Sequence, residues 1–389
     1  MIAKALTLVY ILGVCFYIIV NLYRFLSAYE VKLLLNAIFA ALSVYIFWRG
    51  SKFGEIVLKR MLKHKFYVVK SLFTLSFLFT AVVLSVLGIF FFLLIGWLFP
   101  IFFFPSLEKY LFLLILPPFM ISFPLLLYPI AALRGAPIFL FSAERKIGMR
   151  EALRLSWRVR DKLVFYGTIQ TLLSSLLESL AERVEKISKA LSHIISRFGS
   201  ALIEWTFVIY IAEKIPLPKA FAKAYGIWKR TPFESFYGEN IALLVFFLLL
   251  FLSAIILLIF VYFVNPFSLC PPRTSCYMIS QITMAVITLF FIGFVPVTGF
   301  ILFKPAFYIT MLRLIKQGKI KLGKSIIPAK IEEIVRPYFK ELAEMEEKAE
   351  KTSLSILVRI LDSKVYRVML VFSLFLSFLS LLIGFLGIK

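Results

Sequence analysis

NIALLVFFLLLFLSAIILLIFVYF, residues 240–263, holds no Lys, Arg, Asp or Glu. At 1.5 Å per residue this stretch reaches about 36 Å as a helix, and the hydrocarbon core of a bilayer is about 30 Å thick. A soluble helix of that length keeps one polar face toward water. This one has no such face, so it reads as a membrane span. Its flanks differ in charge. Residues 212–239 before it hold five Lys or Arg, whereas 264–278 after it hold only Arg273. Basic residues collect on the cytoplasmic side of membrane proteins, which gives this span a direction as well as a location.

The pattern repeats outward along the 389 residues. Comparable apolar runs cover Ala5 to Tyr23, Val31 to Trp48, Ser71 to Phe99, Leu111 to Leu133, Ile279 to Phe303 and Val368 to Ile388. Gaps 48–66, 134–162, 212–239 and 304–365 hold six, eight, five and thirteen Lys or Arg; gaps 24–30, 100–110, 178–190 and 264–278 hold one, one, three and one. The alternation predicts an all-α, polytopic transmembrane bundle with its N-terminus cytoplasmic and its C-terminus outside the cell membrane, provided that 163–211 crosses twice. A retained first span, rather than a cleaved leader, is expected because Ala5 to Tyr23 is long and ends without a small-x-small cleavage site.

Composition agrees with this class. Hydrophobic residues make up 61% and charged residues 17%, against about a quarter charged in soluble domains. The net charge of +23 belongs with the positive-inside rule and anionic headgroups, not with nucleic acid, because it sits beside spans. The expected partners are the bilayer and its anionic headgroups.

Segment 163–211 decides between seven and nine spans. It carries Glu178, Glu182, Arg183, Glu185, Lys186, Lys189, His193, Arg197 and Glu204. Apolar residues Leu173, Leu176, Leu177, Leu180, Val184, Ile187, Leu191 and Ile194 nonetheless recur at helical steps. A reversal near Ile187 and Ser188 makes an amphipathic hairpin in which Glu178 faces Arg197 and Glu182 faces His193, lowering the cost of charge near lipid. The alternative is a helix lying on the surface with a solvated face.

Two basic interfacial helices are expected, at 144–162 and 219–230. In the first, Arg150, Arg154 and Arg158 recur every four residues beside Trp157, a pattern suited to lipid headgroups or to simple anchoring. Pro117, Pro118, Pro124 and Pro129 predict a bent or broken fourth span. The polar block 304–365 reads as a cytoplasmic helical segment, a connector or a docking site for a protein partner, ahead of a C-terminal span at 366–389.

No catalytic, metal or cofactor residues stand out. The two histidines, His64 in a Lys-rich loop and His193 beside Ser192, do not assemble a catalytic set. Cys270 and Cys276 flank Pro271, Pro272 and Arg273, where a disulfide requires an extracytoplasmic loop, and no metal ligands lie nearby.

EALRLSWRVRDK at 151–162, WTFVIYIAEKIP at 205–216 and AFAKAYGIWKRTPFESFYGEN at 220–240 follow one another in an order that resembles an uncharacterised family of bacterial and archaeal multi-pass membrane proteins. The resemblance covers about 150–262 and implies a long hairpin, an amphipathic segment and a further span. It implies no activity, substrate or catalytic residue. The expected function is therefore non-enzymatic, a structural, envelope or accessory role; the alternative is a transporter or lipid-moving protein, with a lipid enzyme behind both.

Overall fold

The computed structural model describes residues 2–28, 30–61, 65–98, 109, 111–142, 147–264, 281, 284–285, 287–320, 322 and 364–386. They form α1 (Ile2–Ala28), α2 (Val31–Met61), α3 (Lys65–Leu98), α4 (Leu111–Ser142), α5 (Met149–Arg158), α6 (Arg160–Glu185), α7 (Lys189–Glu213), α8 (Leu217–Trp228), α9 (Pro232–Val264), α10 (Val295–Lys316) and α11 (Lys364–Leu386). A π-helical stretch, Leu289–Phe294, leads into α10, and no strand occurs among the described residues. The protein is an all-α bundle. Eight of its helices, α1–α4, α6, α7, α9 and the π-stretch with α10, are long and apolar enough to cross a membrane, and α11 is apolar over Tyr366–Ser380.

Segment 163–211 folds as two helices, α6 and α7, packed on each other. Their turn sits at residues 186–188, where Ser188 is extended and its side chain accepts from the Leu191 amide as an N-cap. Ser192 Oγ donates to the Ala181 carbonyl across the pair at 2.8 Å. Asn36 of α2 fixes the tip, accepting from Ser188 Oγ at 2.9 Å and from the Lys189 amide at 2.8 Å.

Two elements differ from the sequence reading. Helix α4 is not broken: it stays helical through Pro117, Pro118, Pro124, Pro129 and Pro137. Each proline removes one backbone donor, yet unwinding further would strand more groups in hydrocarbon, and hydroxyls of neighbouring helices add bonds to other carbonyls of α4. Ser156 Oγ donates to the Ala132 carbonyl at 2.5 Å and the Tyr366 hydroxyl to the Ile121 carbonyl at 2.9 Å. Helix α10 also does not stop at Phe303. It continues to Lys316, burying Ala306, Phe307, Tyr308, Met311, Leu312 and Leu314, so 304–320 belongs to the bundle and not to a solvated segment. Residues 323–363, the remainder of the polar block, lie outside the described residues.

The main core gathers the second half of α2, the start of α9 and the bodies of α7, α8 and α10. Trp205, Tyr166, Tyr210, Tyr237, Phe236 and Phe307 are all fully buried there. Beyond it the packing thins. Along α9, Phe247, Phe251, Leu252, Ile256, Leu258 and Tyr262 are exposed on several sides of the helix, the condition of a span surrounded by lipid.

Close helix contacts use small residues, as membrane bundles do where backbones approach. Gly50 lies against the Phe233 backbone and Gly54 under the Tyr237 ring, joining α2 to α9. Gly96 lies against Ser377, joining α3 to α11, where Trp97 Nε1 donates to Ser373 Oγ at 3.1 Å.

Candidate functional site

Four charges meet inside the bundle. Glu239, the eighth residue of α9, is completely buried, and its Oε2 lies 2.6 Å from Lys304 Nζ of α10. Ser200 of α7 bridges them, donating to Glu239 Oε2 at 2.9 Å and accepting from Lys304 Nζ at 3.0 Å. The Tyr308 hydroxyl lies 3.1 Å from Glu239 Oε1 and 3.2 Å from the Ser235 carbonyl. One turn along α7 from Ser200, Glu204 is buried and pairs with Arg134 of α4 at 3.7 Å. The guanidinium of Arg134 also rests 4.5 Å above the ring centroid of Phe207.

The two pairs interact with each other, since Glu204 feels the charges of both Lys304 and Glu239. Two cations and two anions cancel, which makes the burial tolerable: an isolated charge at the centre of a span costs a few kcal/mol on insertion scales. Pairing is nevertheless incomplete. Glu204 Oε1, Arg134 Nε and Arg197 Nε are buried without a hydrogen-bond partner.

A cavity of about 350 Å³ meets this centre on one side, lined by Arg134, Gln170, Thr171, Ser174, Ser175 and Glu178. Near the same part of α9, His193 Nε2 donates to Asn240 Oδ1 at 3.2 Å. Both residues line a second cavity, of about 380 Å³, with Tyr10, Tyr17, Ser43 and Lys189. Asn240 directly follows Glu239 in α9. The charge centre thus meets one cavity directly, through Arg134, while the second, edged by aromatic rings, is linked to it only by the step from Glu239 to Asn240 along α9.

The residues singled out by sequence fall as follows. Glu178 and Arg197 face different ways, and no ion pair joins them among the described residues. Glu178 is exposed at the polar cavity, while Arg197 turns inward to within electrostatic reach of His193, Tyr308 and Tyr10. The register of α6 against α7 is close to the expected one, with Leu177 lying over Gly199, but helix rotation separates the two charges. Arg150, Arg154, Trp157 and Arg158 are all exposed on α5, whose opposite face buries Ala152 and Ser156 against α4. On α8, Ala220 and Ala224 are buried while Lys223 reaches Glu213 of α7 at 2.7 Å, and Lys316 of α10 reaches the same carboxylate at 2.9 Å. Cys270 and Cys276 lie outside the described residues. No group of three or more His, Cys, Asp or Glu able to hold a metal occurs among the described residues.

No family model, curated protein or solved structure matches the chain.

Proposed function

We propose that this is a non-enzymatic transport protein of the cell membrane, in which Arg134, Glu204, Lys304 and Glu239 form the charged centre of the route. One observation carries the reading: four ionisable residues from four helices meet beside a polar cavity that Arg134 itself lines, and ionisable groups inside a membrane domain are retained where an ion, proton or polar solute passes. The charge alternation along the chain supports nine crossings with the N-terminus cytoplasmic, counting α11. In that orientation α5 lies at the cytoplasmic face, where Arg150, Arg154 and Arg158 meet anionic headgroups at about 1 kcal/mol each. A purely structural or accessory role needs only cohesion, and what favours transport over it is that Arg134 both belongs to the charged centre and lines a polar cavity.

Solvent access tests the reading without knowledge of the substrate. Ser200→Cys, in a chain whose Cys15, Cys270 and Cys276 are replaced by Ala, is treated in sealed vesicles with a membrane-impermeant thiol reagent from either side. A route predicts labelling from both faces, because a transport centre opens to each in turn. Protection from both faces, in a variant that purifies as a monodisperse species, overturns the proposal and leaves a static clamp.

A further inference from the structure

Helix α6 carries an anomaly that the charge centre does not explain. Thr168, Thr171, Ser175, Glu178 and Glu182 are all exposed, at spacings of three, four, three and four residues, so they form one polar stripe along a helix of membrane-crossing length. From 168 to 182 the stripe runs for about 21 Å. Polar groups turned toward hydrocarbon are costly, so such a stripe persists where something polar lies along it.

The cavity beside the stripe states what that is. Its one cation is Arg134 and its one anion is Glu178. The Arg134 guanidinium donates and never accepts, and it spends only a loose 3.7 Å contact on Glu204. The remaining groups lean toward accepting. Gln170 Oε1 is buried with no donor, and the Thr171 hydroxyl already gives its proton to the Gly167 carbonyl at 3.0 Å, leaving lone pairs. Gly167 leaves open space where a side chain would stand. A ligand that satisfies all of these has an anionic group for Arg134 and a cationic, donor-bearing group for Glu178 and Gln170.

We propose that α6 is a track for the headgroup of a zwitterionic phospholipid. The phosphate binds at Arg134 and the amine at Glu178, while the acyl chains stay in the bilayer beside the exposed stripe. Lipid is favoured over a free zwitterion because the stripe runs along the outer surface of α6, where a bound headgroup keeps its tails in hydrocarbon. This rests on the transport reading and names its substrate class.

The test uses the full chain in phosphatidylcholine vesicles carrying a trace of acyl-labelled fluorescent lipid, bleached from outside by dithionite. Protein-free vesicles protect the inner half of the label. With protein, labelled phosphatidylethanolamine, whose ammonium carries N–H donors, should bleach almost completely, and labelled phosphatidylglycerol, which lacks the amine, more slowly. Arg134→Gln should slow the phosphatidylethanolamine phase about tenfold, the worth of one charge-assisted hydrogen bond. Because that substitution also touches the core, Thr171→Leu with Ser175→Leu supplies a second variant: both positions are exposed, and greasing them should slow exchange in a chain that still folds. Protection of half the label by the unsubstituted protein, equal rates for the two lipids, or unslowed exchange in the leucine variant overturns the proposal. So does crosslinking of Thr171→Cys between two copies, which makes the stripe an interface. If Ser200→Cys labels from both faces while no lipid moves, the track fails and the transport centre stands; lipid exchange with Ser200→Cys protected gives the reverse.

Discussion

Lys304 and Glu239 are the pair whose removal is most informative, because one is completely buried and the other nearly so. Taking away one partner of a buried pair leaves the other charge uncompensated, a loss of about 3–5 kcal/mol, whereas replacing both with neutral groups is often close to neutral. Glu239→Gln and Lys304→Met should each lower the unfolding midpoint sharply in detergent, and the double variant should recover most of the loss. A double variant as unstable as the two single losses combined would mean that the charges are solvated and not coupled. The residues of this centre were only partly legible in the sequence, for a physical reason. Apolar runs delimit spans, and a charge ends a run; the fourth span stopped at Leu133, the one before α11 at Phe303, and the central one began at Asn240. Each boundary fell one residue short of Arg134, Lys304 or Glu239. Glu204 stands among the charges of 163–211 in the sequence, but its partners are hidden at the edges of their spans.

Among elements, α2 and α9 approach each other closely. Gly50 and Gly54 recur four residues apart, and Tyr237 occupies the space that a side chain at Gly54 would need. The spacing is present in the sequence as a small-x-x-x-small pair, and it went unread because it lies beyond Trp48, in what looked like a cytoplasmic gap. Gly54→Leu should separate α2 from α9 and abolish the monodisperse peak on size exclusion, while Gly13→Ala, which meets open space, should leave it unchanged. A well-behaved Gly54→Leu protein would mean that these helices are held by something other than close approach. Helix α4 carries the complementary lesson. Its prolines were legible, but their effect depends on solvent: in water they end helices, and in hydrocarbon the neighbouring backbone has no better place to go.

At the scale of the whole molecule, the apolar runs and their charged gaps made the all-α membrane bundle legible, since both follow from transfer free energies that act on local sequence. How the helices rotate against one another did not follow, because rotation is decided by contacts between segments distant in the chain. Orientation is open to a direct test. Reporter fusions at residue 230 should signal from the cytoplasm and fusions at residue 389 from outside, and the opposite pair of signals would reverse the whole arrangement. The uneven density of the bundle has a further consequence. Rings and glycines lock one end, while α9 runs on past Leu248 largely exposed among the described residues. Lateral pressure in the two leaflets therefore acts on unlike objects, a stiff plug below and, above, an α9 that stands apart from the joined pair of α3 and α11. Annular lipids cover that length of α9, so acyl-chain length and order in one leaflet set its position, and a short-chain detergent that cannot cover it should loosen that end first.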